Sequence, residues 1–127
     1  LSSGFYQWKK DPGSKSKVPH FIQMKSREPF AFAGLWERWN APDGSEVLSS
    51  SIITTEPNLL LAPIHNRMPV ILPASAYEQW LTPGEKSPQE LNALLTPYPA
   101  DLMDAYPVST YVNRPANDSP QCIQPVQ

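Results

Sequence analysis

Two side chains able to bind or move charge stand close together in Pro63-Ile64-His65-Asn66-Arg67-Met68-Pro69. The flanking prolines stiffen this segment and fix where the imidazole points. A histidine beside an arginine can hold a phosphate or exchange protons with a substrate. The alternative is a packed or solvated histidine next to an ordinary surface arginine, and the segment alone does not separate the two. Gly4-Phe5-Tyr6-Gln7-Trp8 sets three aromatic rings around one amide. Aromatic rings stack on unpaired bases and so hold single strands. The same alternation also suits a core strand. Trp36 and Trp39 carry the same two readings. Thr54-Thr55 closes a β-branched run and could donate to a phosphate, or simply reflect strand propensity. Glu37 and Glu56 are the acids nearest these segments, and no spacing pairs them as a catalytic dyad. Cys122 lies in a proline-rich tail beside Ile123, with no neighbour that would activate it as a nucleophile.

The elements that must position these residues follow from periodicity and turn chemistry. Phe5 to Trp8 reads as a strand, Asp11 to Lys17 as a loop, and Pro19 to Lys25 as a second strand, so the two pair as a hairpin. Ala31 to Trp39 reads as a strand with Phe32, Gly34, Trp36 and Arg38 on one face. Pro42-Asp43-Gly44 turns the chain, and Val47 to Thr55 pairs back onto it. Pro57 to Ala62 reads as one short helical turn, and Met68 to Leu72 as a short apolar strand whose Pro69 implies an edge or a bulge. Pro73 to Leu81 and Ser87 to Leu95 are predicted helices. The second opens on a capping box, with Ser87 at the N-cap, Pro88 at N1 and Glu90 at N3. Asp101 to Val112 holds one more strand, and Asn113 to Gln127 forms a turn or tail. The class is α+β, mostly antiparallel sheet with a few short helices. Strands in this order do not close a barrel by themselves. The sheet is either open or completed by strands of a preceding segment, and the second is the expectation.

With 127 residues and 40% hydrophobic content, the chain suits a single modest core. No apolar run approaches the roughly 20 residues of a membrane helix, so no membrane partner is expected. One cysteine excludes an internal disulfide, and with two histidines it is too little for a zinc site of the usual kind. Cytosol is the default compartment. Leu1 opens the chain without an initiator Met or signal peptide, as a segment of a longer protein would. The net charge of −2 does not announce a nucleic-acid binder. Local placement matters more than the sum, and Lys9, Lys10, Lys15 and Lys17 do cluster, as a basic patch or as a solvated hairpin tip.

Five segments together carry a resemblance. They are Gly4-Phe5-Tyr6-x-Trp8, the run from Pro29 to Glu37, Ile53-Thr54-Thr55, the run from Pro63 to Leu72, and Val112-Asn113-x-Pro115-x-Asn117-Asp118. In this order they resemble the SRAP family, the SOS-response-associated peptidases that handle abasic sites in single-stranded DNA. The similarity covers nearly the whole chain and matches the C-terminal part of one SRAP domain, a β-barrel-like fold with short flanking helices. The resemblance implies chemistry by an N-terminal cysteine, whose amine and thiol close a thiazolidine on the ring-opened aldehyde of an abasic site. The family's name refers to release of that cysteine's own N-terminus. An asparagine, a glutamate and a histidine assist. The histidine matches His65, which would act as acid and base on the opened sugar. Arg67 and Thr54 would hold phosphate, and Trp8 would lie against bases at the lesion. No cofactor is implied. The cysteine and the asparagine would lie in a segment preceding Leu1, and Gln7 stands at the glutamate position. An amide orients and hydrogen-bonds but does not exchange protons near neutral pH. The expectation is therefore an enzyme whose full-length form crosslinks abasic DNA, with this chain inactive alone. A non-covalent DNA-binding module and a degenerate remnant are the competing readings. Convergence of Lys9, Lys10, Arg67 and Arg114 on one groove with Trp8 would argue against the remnant.

Overall fold

Alternating aromatic and polar residues on either side of a Pro-Gly-Ser loop build the hairpin that the sequence predicts. The computed structural model describes residues 1–126. In chain order the strands are β1 (Phe5–Lys10), β2 (Lys17–Met24), β3 (Ala31–Phe32), β4 (Gly34–Asn40), β5 (Glu46–Ile52), β6 (Thr54–Thr55), β7 (Met68–Pro69) and β8 (Ile71–Leu72). Helices α1 (Tyr77–Leu81) and α2 (Pro88–Leu94) follow, and β9 (Met103–Pro107) returns to the sheet. The architecture is mostly antiparallel sheet with two short helices, as the sequence implies. Among the described residues the strands form four separate sheets, and none closes into a barrel.

The largest sheet runs in the order β1-β2-β9. Phe5 lies opposite Ile22, Gln7 opposite His20, and Ile22 in turn opposite Ala105. Strand alternation therefore puts Phe5, Gln7 and Lys9 on one face and Tyr6, Trp8 and Lys10 on the other. On the first face Ile22, Met24, Phe30, Leu61, Met68, Ile71 and Met103 form the main core. Phe5, Phe30 and Phe32 meet edge to face above it, with ring centroids 5.4 to 6.3 Å apart. Burying each large side chain of this set contributes about 1.5–3 kcal/mol. On the second face Tyr6, Phe21 and Tyr106 stack in sequence under the tail. Gly4 is required where the chain enters β1. A Cβ there would run into the Phe21 ring and lie 2.8 Å from the Ile22 carbonyl oxygen.

Two long predicted strands are each broken by one residue. Ala33 separates β3 from β4, and Ile53 separates β5 from β6. Val70 likewise interrupts the predicted Met68–Leu72 strand. These three residues bond to one another in a ring: Ala33 N–H donates to Val70 O at 2.8 Å, Val70 N–H to Ile53 O at 2.8 Å, and Ile53 N–H to Ala33 O at 2.9 Å. The ring is a three-way junction from which β3 pairs with β8, β6 with β7, and β4 with β5. It explains why Phe32 does not share a face with Trp36, as continuous alternation would require. Ala33 and Val70 are fully buried at the junction, where Leu72, Tyr77, Trp80, Leu94 and Leu95 pack as a second core cluster. The capping box of α2 forms as expected, with Glu90 N–H donating to Ser87 Oγ at 3.2 Å and Ser87 N–H to Glu90 Oε2 at 3.3 Å. At the far end of β4, Gly44 turns the chain with φ +88°. There Asp43 Oδ1 accepts from the Ser45 hydroxyl and amide, which hold its carboxyl below the ordinary carboxylate range. Gln127 lies outside the described residues.

Candidate functional site

The segment between β6 and β7 turns once over Asn58–Ala62, as the sequence predicts, closed by Ala62 N–H donating to Asn58 O at 2.9 Å. Asn58 Oδ1 accepts from Leu61 N–H at 3.0 Å, and its amide donates to Tyr98 O at 2.7 Å. An asparagine whose side-chain oxygen accepts from the N–H three residues on caps the start of such a turn. Leu61, fully buried, anchors the turn to the core, and its carbonyl accepts from both Ile64 N–H at 2.8 Å and His65 N–H at 2.9 Å. His65 is thereby held at the rim while Ile64 packs inward. Sequence reading missed Asn58. An asparagine after a proline, before an apolar run, is the signal that marks such a turn.

Arg67 leaves this turn immediately before β7. Thr54 pairs with Pro69, so Arg67, two residues earlier, lies on the same side as Thr54. The guanidinium is tied there twice: Nη2 donates to Thr54 O at 2.8 Å and Nε to Thr54 Oγ1 at 3.3 Å. Among the described residues the remaining nitrogen, Nη1, has no hydrogen-bond partner, and no carboxylate pairs with Arg67. Arg67 N–H also donates to His65 Nδ1 at 3.2 Å. The same Nδ1 lies 3.2 Å from Arg67 O, which would accept from it, so these two contacts serve either neutral tautomer of the ring. The Thr54 hydroxyl hydrogen is left to donate, because its oxygen accepts from Arg67 Nε.

These groups line one cleft of about 320 Å³. Gln7, Thr54, His65 and Arg67 supply its polar wall. Phe5, Phe32 and Ile52 supply an apolar one. Four of the five sequence-predicted site residues are thus brought together, with Gln7 more than 40 positions from Thr54, His65 and Arg67. The cleft's lining holds one permanent positive charge and no carboxylate, so it favours an anion with an apolar or aromatic neighbour. His20, opposite Gln7 in the register, lies on the same sheet face and was singled out by no motif. Its Nδ1 lies 3.0 Å from Val18 O, which as an acceptor fixes the proton there.

Trp8 is not in the cleft. Its ring faces the other side of β1, where Nε1–H donates to Asn113 Oδ1 at 2.8 Å and the ring neighbours Tyr6 at 6.4 Å. The basic residues divide in the same way. Lys9 shares the Gln7 side, Lys10 shares the Trp8 side, and Arg114 follows Asn113. They do not converge on one groove: none of the three lines the cleft that holds Arg67. Strand β1, which carries both lysines, is an edge strand. Cys122 is buried in the tail, with its thiol 3.5 Å from Asn117 O, away from the cleft.

A tethered arginine and a histidine beside an apolar wall on a small antiparallel sheet give the cleft a cation for an anion and a group able to exchange a proton. The family follows from comparison: residues 1–115 match the model of the SOS response associated peptidase (SRAP) family, and the chain belongs to it. It is 49% identical over 97% of its length to the abasic site processing protein YoqW of Bacillus subtilis, covering 54% of that protein. It is 33% identical over 98% of its length to the abasic site processing protein HMCES of Rattus norvegicus, covering 42% of it. A solved structure of a Bacteroides thetaiotaomicron protein superposes with a TM-score of 0.86 at 35% identity, over 99% of this chain and 55% of that one. The chain therefore spans about half the length of the curated relatives it matches.

Proposed function

We propose that this chain forms one wall of an abasic-site processing centre that acts on single-stranded DNA. The observation that carries the reading is the meeting of Gln7, Thr54, His65 and Arg67 in one cleft. Arg67, pre-oriented by Thr54, binds the phosphate next to the lesion, and its charge draws the strand in. His65 gives a proton to the oxygen of the opened deoxyribose and takes it back as the reaction proceeds. Gln7 orients the aldehyde by hydrogen bonding. Trp8, around the edge of β1, receives a flanking base, so the strand crosses that edge from the Arg67 side to the Asn113 side.

In the full-length protein the nucleophile is an N-terminal cysteine carried by the rest of the SRAP polypeptide and exposed by self-cleavage. Its amine condenses with the aldehyde, releasing one water, and its thiol adds across the resulting C=N bond to close a thiazolidine. Every atom except that water stays in the product. Work alongside DNA implies the cytoplasm for a bacterial source. The test is a denaturing gel: a full-length form carrying the cysteine should shift an oligonucleotide with one abasic site and leave an intact one unshifted. An unshifted abasic oligonucleotide would contradict the reading. One observation favours a second reading, a non-covalent sensor: the cleft itself holds an amide at Gln7 and no thiol. Salt-sensitive binding without a covalent shift would select it.

A further inference from the structure

Condensing an amine with an aldehyde moves two protons. Both leave the nitrogen, and both reach the oxygen that departs as water. A base and an acid are therefore needed side by side. His65 supplies one of them, and the cleft supplies no second. Its lining holds no carboxylate and no thiol among the described residues. The Gln7 amide does not exchange protons near neutral pH. The Tyr6 phenol points to the opposite face of the sheet, where it donates to Cys122 O at 3.3 Å.

The other histidine of the chain stands next to Gln7. His20 on β2 lies opposite Gln7 on β1 and opposite Pro107 on β9. Residues opposite each other in antiparallel strands share a face, with Cβ atoms about 4.5–5.5 Å apart. The half-buried imidazole therefore rises one strand behind the cleft lining, beside the Gln7 side chain. His20 differs from His65 in one respect. The Nδ1 of His65 meets both a donor and an acceptor on Arg67, whereas the Nδ1 of His20 meets only Val18 O, at 3.0 Å. A carbonyl oxygen accepts and never donates. The neutral His20 ring thus carries its proton on Nδ1 and a lone pair on Nε2. Among the described residues Nε2 has no hydrogen-bond partner. No carboxylate competes for it on this face, where β1 presents Phe5 and Lys9, β2 presents Val18 and Ile22, and β9 presents Ala105 and Pro107. Lys9 is the one charge among these residues, and the turn Thr110–Asn113 that neighbours β2 carries none.

We propose that His20 is a second proton-exchanging group of this site, the base that works opposite His65 as acid. The inference rests on the abasic-site reading given above. As the N–C bond forms, His20 Nε2 takes a proton from the attacking nitrogen through one bridging water. His65 gives a proton to the oxygen. The second nitrogen proton follows the same route after solvent has reset the two rings, the C–O bond breaks, and water leaves. The thiol then adds across the C=N bond, its sulfur bonding to carbon and its proton passing to nitrogen. Two protons leave the amine and two reach the water, so the balance closes without a further reactant.

The test is the rate of crosslink formation on a denaturing gel, with the full-length form that carries the cysteine and an oligonucleotide with one abasic site. His20→Asn keeps a donor near Val18 O and removes Nε2. It is expected to slow crosslinking about 10²-fold. The deciding comparison is the same change in a Gln7→Glu form, whose carboxylate exchanges protons at the neighbouring position. There His20→Asn is expected to cost less than about threefold, because neighbours that share one task are not additive. A loss below about threefold in the Gln7 form would overturn the proposal. So would an equal loss in both forms, which marks a ring that serves structure alone. Thermal unfolding of the His20→Asn form checks that the fold is kept, and His20→Gln gives the same comparison if it is not. An unvaried form that fails to crosslink would sink the functional reading itself, a result distinct from normal crosslinking that is indifferent to His20.

Discussion

The β1–β2–β9 sheet and the β4–β5 hairpin are both antiparallel and both rich in aromatic and β-branched residues, yet one holds the core and the other holds nothing. In β2 the run Phe21 to Met24 is wholly buried. In β5 the run Glu46 to Ile52 is wholly exposed. Strand propensity therefore selects extended backbone in both places, and burial depends on what stands opposite. The sheet has Leu61, Met68, Ile71 and Met103 against it. The hairpin is swung away by the junction at Ala33, Ile53 and Val70. The candidate cleft opens where these regions meet, with Gln7 from the first and Ile52 from the second.

Catalysis indifferent to the cleft would break this contrast most severely. His65→Ala in a full-length crosslinking form is expected to slow thiazolidine formation about 10²–10⁴-fold, the usual contribution of an acid–base group. A loss below about threefold would return His65 to an ordinary surface role. Stability comes next. Ile22→Ala should cost this chain about 2–5 kcal/mol in denaturant unfolding. Leu48→Ala in the hairpin should stay within about 0.5 kcal/mol. Equal costs would mean that the hairpin is packed in solution. Ala33→Leu, which forces bulk into the fully buried junction, should cost about 1–3 kcal/mol.

The smallest effect concerns alkaline pH. Burial raises the phenol of Tyr6 above its ordinary value, with the nearby Cys122 adding to it, and burial raises Tyr106 as well. Folding therefore favours the protonated phenols. Their contribution is fully present below the unfolded value of about 10 and is lost as pH rises through the folded value. Tyr6→Phe should flatten the fall of stability above about pH 10. An unchanged slope would show that Tyr6 titrates as it does in the unfolded chain.

Much of this was legible in the sequence because local chemistry decided it. The first hairpin followed from alternation around a Pro-Gly-Ser loop, and α2 from Ser87, Pro88 and Glu90. The grouping of His65, Arg67 and Thr54 came from resemblance rather than from periodicity, since the register of Thr54 with Pro69 is non-local. The breaks at Ala33, Ile53 and Val70 were illegible because each lies inside an unbroken strand-like run and is created by two distant partners. The direction of Trp8 was legible in principle: alternation alone sets it opposite to Gln7. The exposure of Trp36 and Trp39 was not, because an apolar residue does not say whether anything covers it.

The most direct measurement is the affinity of this chain, and of its Arg67→Ala variant, for a single-stranded oligonucleotide carrying one stable abasic analogue, followed by fluorescence anisotropy across a salt series. The cleft account expects salt-sensitive binding, with Arg67→Ala weakening it and reducing the log–log salt slope by about one. Affinity that ignores both salt and Arg67, or the absence of binding, would contradict the assignment of this cleft to DNA.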